Sequence, residues 1–133
     1  MKSRLVCLGA FAAVFIVLDV IWIFAAVMPI YAKSLPESML APQPSVVAAL
    51  LFYVIFITSA CHFVVWPGVE ARAPWTSAGI EGAFFGFTCY ATYGLTNQAV
   101  LRSWPWLVAL SDILWGAFVT AVACAASVTV GTR

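Results

Sequence analysis

Two short stretches carry the most unexpected chemistry of the chain: LDVIW at residues 18–22 and SDILWG at residues 111–116. Each sets an aspartate three residues ahead of a tryptophan, inside a run that is otherwise almost purely apolar. An ionisable group in such a run is costly, faces the interior of a bundle, and marks proton relays, cation sites or general acid–base pairs. Should Asp19 and Asp112 face each other, the two carboxyls would share one proton. A plainer reading stands beside this one. Hydrogen-bonded aspartates also tie helices together, and Tyr93 or Asn97 could supply the partners.

The elements that must hold these residues are membrane spans. Of 133 residues, 65% are hydrophobic and 8% charged, with a mean hydropathy of +1.06. A soluble domain carries about 25% charged residues, so this composition cannot clothe a water-facing surface. The net charge is +1 and the basic residues are scattered, which excludes a nucleic-acid footprint. A span needs roughly 20 apolar residues. Four segments qualify: Leu5–Met28, Val46–Trp66, Trp75–Tyr93 and Trp106–Val130. They predict an all-α integral membrane protein, with four transmembrane helices in a compact up-down bundle and residues 1–133 forming one domain.

Loop chemistry supports the division. Pro29, Pro36, Pro42 and Pro44 fill the first connection, and Ser45 suits a helix N-cap. PGVEARAP at residues 67–74 is a tight turn, and Ser103 with Pro105 suits the start of the fourth helix. The first apolar segment is too long for a signal-peptide core and has no clean cleavage site, so a retained helix is expected. Lys2, Arg4, Arg72 and Arg133 on one side against Lys33 and Arg102 on the other favour cytoplasmic N- and C-termini. Tyr31, Trp66, Trp75, Trp104 and Trp106 then fall at the two interfaces as an aromatic belt. Trp22 and Trp115 belong inside their helices.

An aspartate at a helix centre costs about 2.5–3.5 kcal/mol on insertion scales. The aliphatic and Phe residues of the first segment offset this by about 4–8 kcal/mol, those of the fourth by about 3–6. Asp112 is therefore expected off-centre and sheltered by protein. At 1.5 Å per residue Asp19 lies about 14 Å and Asp112 about 9 Å from the outer ends of their helices. The two acids are thus expected in one outer layer, with Tyr90, Tyr93, Thr96 and Asn97 of the third segment. His62 and Glu81 fall on the inner side as secondary candidates. For His62 a snorkelling or locally bonded side chain outweighs a metal ligand, and Glu81 can reach the inner headgroups.

Gly82 and Gly86 form a GxxxG spacing that lets helices approach closely, a packing hint rather than a function. Cys7, Cys61, Cys89 and Cys124 form no CxxC pair and read as small buried hydrophobes. No P-loop, HExxH, GxSxG or dinucleotide fingerprint occurs, and His62 stands alone. No catalytic residue, metal or cofactor is expected. The echo between LDVIW and SDILW is too short to establish a repeat.

LDVIW, AALLFYVIF before a WP turn, GAFFGFTCYATYGLTNQAVLRSWP and SDILWG together resemble a family of small bacterial membrane proteins, domain of unknown function 2177. The resemblance runs from about Leu18 to Gly116. It implies a four-helix protein of the bacterial cytoplasmic (inner) membrane without an assigned reaction, its genes often near lipid-modifying genes of the cyclopropane-fatty-acid-synthase type. Motif positions carry over to Asp19, Trp22, Tyr90, Tyr93, Thr96, Asn97, Trp104, Asp112, Trp115 and Gly116. The chain departs at Gly94, where the resemblance implies an aspartate.

Three functions follow from these residues. The first is a lipid- or small-molecule-binding or transport protein, with an outer-half polar pocket built on the two aspartates. Four spans make a thin wall, so that reading expects a homodimer. The second is a lipid-modifying enzyme accessory, the third an assembly factor or small subunit of a larger membrane complex. The bilayer is the one partner common to all.

Overall fold

A computed structural model describes residues 3–133, and the fold is four long helices without strands among them. Lys2, one of the charges counted above, lies outside the described residues. We label the helices α1 (Arg4–Ser34), α2 (Val46–Glu70), α3 (Trp75–Val100) and α4 (Trp106–Thr132). The chain ends and the α2–α3 turn share one end of the bundle, called proximal; the other two connections share the distal end.

α1 starts at Ser3, whose hydroxyl accepts from the Val6 amide at 3.4 Å. α2 starts at Ser45, which caps the Ala48 amide at 3.3 Å as its sequence position predicts. Ser103 plays no such part, since Pro105 itself stands before α4. Both α1 and α2 run past the prolines at which they were expected to stop. α1 passes through Pro29 to Ser34, and α2 through Pro67 to Glu70.

The reason is the same in both helices. A proline lacks an amide proton and its ring presses on the carbonyl four residues back, which in a regular α-helix forces a kink. Here the helix widens to a π-helical segment just before each proline, over Ile23–Val27 and Cys61–Val65. The Met28 amide then reaches Ile23 O and the Trp66 amide reaches Cys61 O, so the chain absorbs the proline without ending. The α2–α3 turn is closed by Arg72 in the left-handed region, φ 51°.

α1, α2 and α4 are each long and apolar enough to cross a membrane. α3 is as long, but its threonines, glycines and Glu81 dilute its apolar content. It packs as the close antiparallel partner of α4. Gly79 sits by Ala125, Gly82 by Cys124 and Thr120, Gly86 by Gly116, and Gly94 by Ala109. Lipid tails are as apolar as leucine, so helix association in a bilayer depends on such close van der Waals approach. The GxxxG spacing read from the sequence is therefore an internal seam.

α1 packs on α4 through the main core, where Phe11, Phe15, Val119 and Val128 are fully buried. Ser127 there donates to Cys7 O at 2.7 Å, and Cys7, Cys61 and Cys124 are buried and unbonded. At the proximal rim Arg4 pairs with Glu70 at 2.8 Å and lies 5.1 Å over the Trp66 ring. A smaller distal cluster joins Leu35, Trp104, Val108 and Ala109, folding the α1–α2 connection over the start of α4. The distal half of α2 is different. Val46, Val47, Leu50, Leu51, Val54 and Ile55 are all exposed to the surroundings, as befits side chains that face lipid.

The α3–α4 seam yields a test. A methyl group at Gly86 would collide with Gly116 O, and one at Gly116 with the Tyr90 ring; at Gly94 it would meet Ala109 at an ordinary 3.5 Å. Gly86→Ala and Gly116→Ala should each cost about 1–3 kcal/mol, while Gly94→Ala should be neutral. Thermal unfolding of the three variants in mild detergent checks the order, and equal midpoints would refute the seam.

Candidate functional site

The distal half of the bundle encloses a cavity of about 690 Å³ between all four helices. α1 contributes Asp19, Trp22, Ile23, Val27 and Tyr31; α4 contributes Asp112 and Trp115. Phe52, Ile55, Phe56, Ser59 and Phe63 line it from α2, and Phe85, Cys89, Tyr90 and Tyr93 from α3. Its size is that of a small-molecule site, as is the mix of apolar wall and few polar groups.

Asp19 is buried at the meeting of three helices. Tyr53 of α2 donates its hydroxyl to Asp19 Oδ2 at 2.6 Å, and Trp115 of α4 donates Nε1–H to Asp19 Oδ1 at 3.0 Å. Both carboxyl oxygens are thus engaged, by donors that satisfy them without water. Asp112, 8% exposed, accepts one bond, from the Tyr31 hydroxyl to Oδ2 at 2.9 Å. Among the described residues no side chain bonds its Oδ1, and none bridges the two acids directly. Asp19 meets Trp115, one turn deeper than Asp112, so the acids are staggered rather than level.

The tryptophans that follow the acids stack on each other, ring centres 4.6 Å apart and planes 4° from parallel. The repeated Asp-x-x-Trp spacing thus brings both pairs to one place from antiparallel helices. The pairs are unequal. Trp115 bonds Asp19, whereas Trp22 Nε1 is buried without a partner among the described residues.

Of the other expected site residues, Tyr90 and Tyr93 line the cavity. Tyr90 lies against Gly116 and edge-on to Phe56 at 5.9 Å. Tyr93 stands edge-on to Trp104 at 5.9 Å, and Trp104 is buried against the start of α4. Asn97 lies beyond the cavity and supplies no bond to either acid; the partner expected from Tyr93 or Asn97 is Tyr31 instead. The reason is the extended α1, which carries Tyr31 past Pro29 and over Asp112. Thr96 faces away, on the outer side of α3 with Thr88 and Thr92. His62 lies in a shallow outer groove with Thr58 and Trp66, and Glu81 is exposed. Neither reaches the cavity.

Sequence reasoning missed Tyr53 altogether and placed Tyr31 in the interfacial belt. A signal for Tyr53 was present, because a tyrosine in mid-span must find a partner for its hydroxyl.

A family model described as "Predicted membrane protein (DUF2177)" matches residues 5–129. The chain belongs to this family. No curated protein and no solved structure is significantly similar to it. Membership of the DUF2177 family agrees with the helical membrane bundle and assigns no reaction to its cavity.

The unequal acids can be told apart by stability. Asp19→Leu strands two half-buried donors, Tyr53 and Trp115, and Asp112→Leu strands one, Tyr31. Each stranded donor costs about 1–3 kcal/mol, so Asp19→Leu should lower the unfolding midpoint more. A larger loss in Asp112→Leu would refute the assignment of bonds.

Proposed function

We propose that this membrane protein binds a lipid or another small amphiphile in its distal cavity, with Asp112 as the acid that contacts the ligand. The observation that carries the reading is the unengaged Oδ1 of Asp112, a buried carboxyl at the wall of a largely apolar cavity of about 690 Å³. Buried polar groups are normally satisfied, and one left open inside a cavity is a place for a ligand. Asp19, with both oxygens occupied, holds α1, α2 and α4 around the site and does not contact the ligand.

Orientation belongs to the same reading. Arg4, Arg72 and Arg133 lie at the proximal end, Lys33 and Arg102 at the distal. The positive-inside rule then puts the proximal end in the cytoplasm of a bacterial cell and the cavity in the outer leaflet.

Native mass spectrometry of the protein released from mild detergent provides the test. The wild type should retain a bound small molecule. Ser59→Phe, which fills the cavity from α2, should reduce retention about tenfold, equal to about 1.4 kcal/mol. Thr96→Phe, on the outer side of α3, should retain it as the wild type does. Equal retention in Ser59→Phe and wild type would overturn the proposal.

A further inference from the structure

We infer that the ligand class of this cavity is the lipophilic organic cation, an ammonium or similarly charged centre on an apolar frame, reaching the site sideways from the bilayer. The inference rests on the cavity being a binding site and names its chemistry. Charge comes first. The lining residues include two carboxyls and no lysine, arginine or histidine. An anionic headgroup would meet acids without a counter-charge in a medium of low dielectric, where such a mismatch is least tolerated. A cationic centre instead completes Asp112, whose Oδ1 is open while Tyr31 holds Oδ2.

The aromatic residues point the same way. The stacked indoles of Trp22 and Trp115 stand beside Tyr90 and Tyr93 at the same cavity. Ring faces carry negative potential and attract organic cations, tryptophan most strongly, which is how aromatic cages hold quaternary ammonium groups. A small inorganic cation fits poorly. No cluster of three metal-ligating side chains occurs among the described residues, and hard cations need more oxygens than Asp112 offers.

The route follows from what closes the cavity. Tyr31, packed with Leu35 and Trp104, lies at its distal end. The wall along α2 is open. Ile55 and Phe63 line the cavity and yet are 62% and 65% exposed. Such an opening meets acyl chains, not water, and admits a ligand already dissolved in the bilayer.

The test uses the full chain in nanodiscs of neutral phosphatidylcholine, with tetraphenylphosphonium and its anionic isostere tetraphenylborate as probes. The phosphonium should bind saturably and the borate should not. Asp112→Asn should weaken phosphonium binding about tenfold or more, and Asp112→Glu should restore it, with elution profile and unfolding midpoint checking the fold of each. Hexadecylamine placed in the bilayer should displace the probe. Tetramethylammonium, a cation without an apolar frame, should fail to do so even at about a hundredfold higher concentration.

Borate binding equal to phosphonium, or undiminished binding in a folded Asp112→Asn, would overturn the cation. Displacement by tetramethylammonium would overturn entry from the bilayer. The isostere comparison needs no variant, so misfolding cannot hide the answer. If Ser59→Phe still abolishes retention of a co-purifying molecule while the phosphonium shows no preference, the cavity remains a binding site and only its charge selectivity falls. Loss of both effects removes the binding reading as well.

Discussion

A carboxyl group in hydrocarbon must be given hydrogen bonds by the protein, because the solvent offers none. The geometry around Asp19 follows from that constraint. Its donors come from Tyr53 on α2 and Trp115 on α4, while the acid itself rides on α1. Three helices are thereby joined at one side chain, in a bundle where apolar contact alone gives little preference over lipid. The bond from Trp115 also orients its indole, and with it the stacking of Trp22. The aromatic side of the cavity is a consequence of satisfying one buried acid.

The rest of the cavity follows from how unevenly the helices are held. α3 and α4 are locked along a seam of glycines, with Cys124 filling the space a methyl group at Gly82 would need and Gly86 set against Gly116. α2 has no such seam. Its proximal half is buried through Ala60, Cys61, Val64 and Val65, whereas its distal half presents its aliphatic residues outward. A helix anchored at one end and bare at the other leaves space beside it. The space therefore opens where α2 is least packed and is walled rigidly where α3 meets α4.

Much of this could be read in the sequence, and what could not has identifiable causes. The four helices, three of them long and apolar enough to cross a membrane, the glycine seam and the two acids with their tryptophans follow from hydropathy and spacing. The helix ends beyond Met28 and Trp66 do not, because a proline reads as a stop unless the preceding turn widens, as it does over Ile23–Val27 and Cys61–Val65. That extension is what brings Tyr31 to Asp112. Thr96 was grouped with Tyr90 by depth alone; at 100° per residue it lies roughly 120° around the helix from Tyr90, and its exposed position reflects that. Tyr53 was passed over because it sits in an unbroken apolar run, where only its hydroxyl marks it. Depth can be counted along a sequence, but which faces meet depends on contacts between helices.

The two motifs that look alike in sequence have come to do opposite things. On α1 the acid is saturated, and it spends its hydrogen bonds on the positions of neighbouring helices. On α4 the acid is sheltered but half engaged, held by a tyrosine that arrives on the far side of a proline. Antiparallel packing sets each tryptophan beside the other helix's acid, yet only Trp115 bonds Asp19, whereas Trp22 Nε1 finds no partner among the described residues. An equivalent pair of bonds would have closed both acids and left an inert, fully satisfied core. Asp112 therefore keeps one oxygen without a side-chain donor among the described residues, at the wall of the cavity that Asp19 helps to frame.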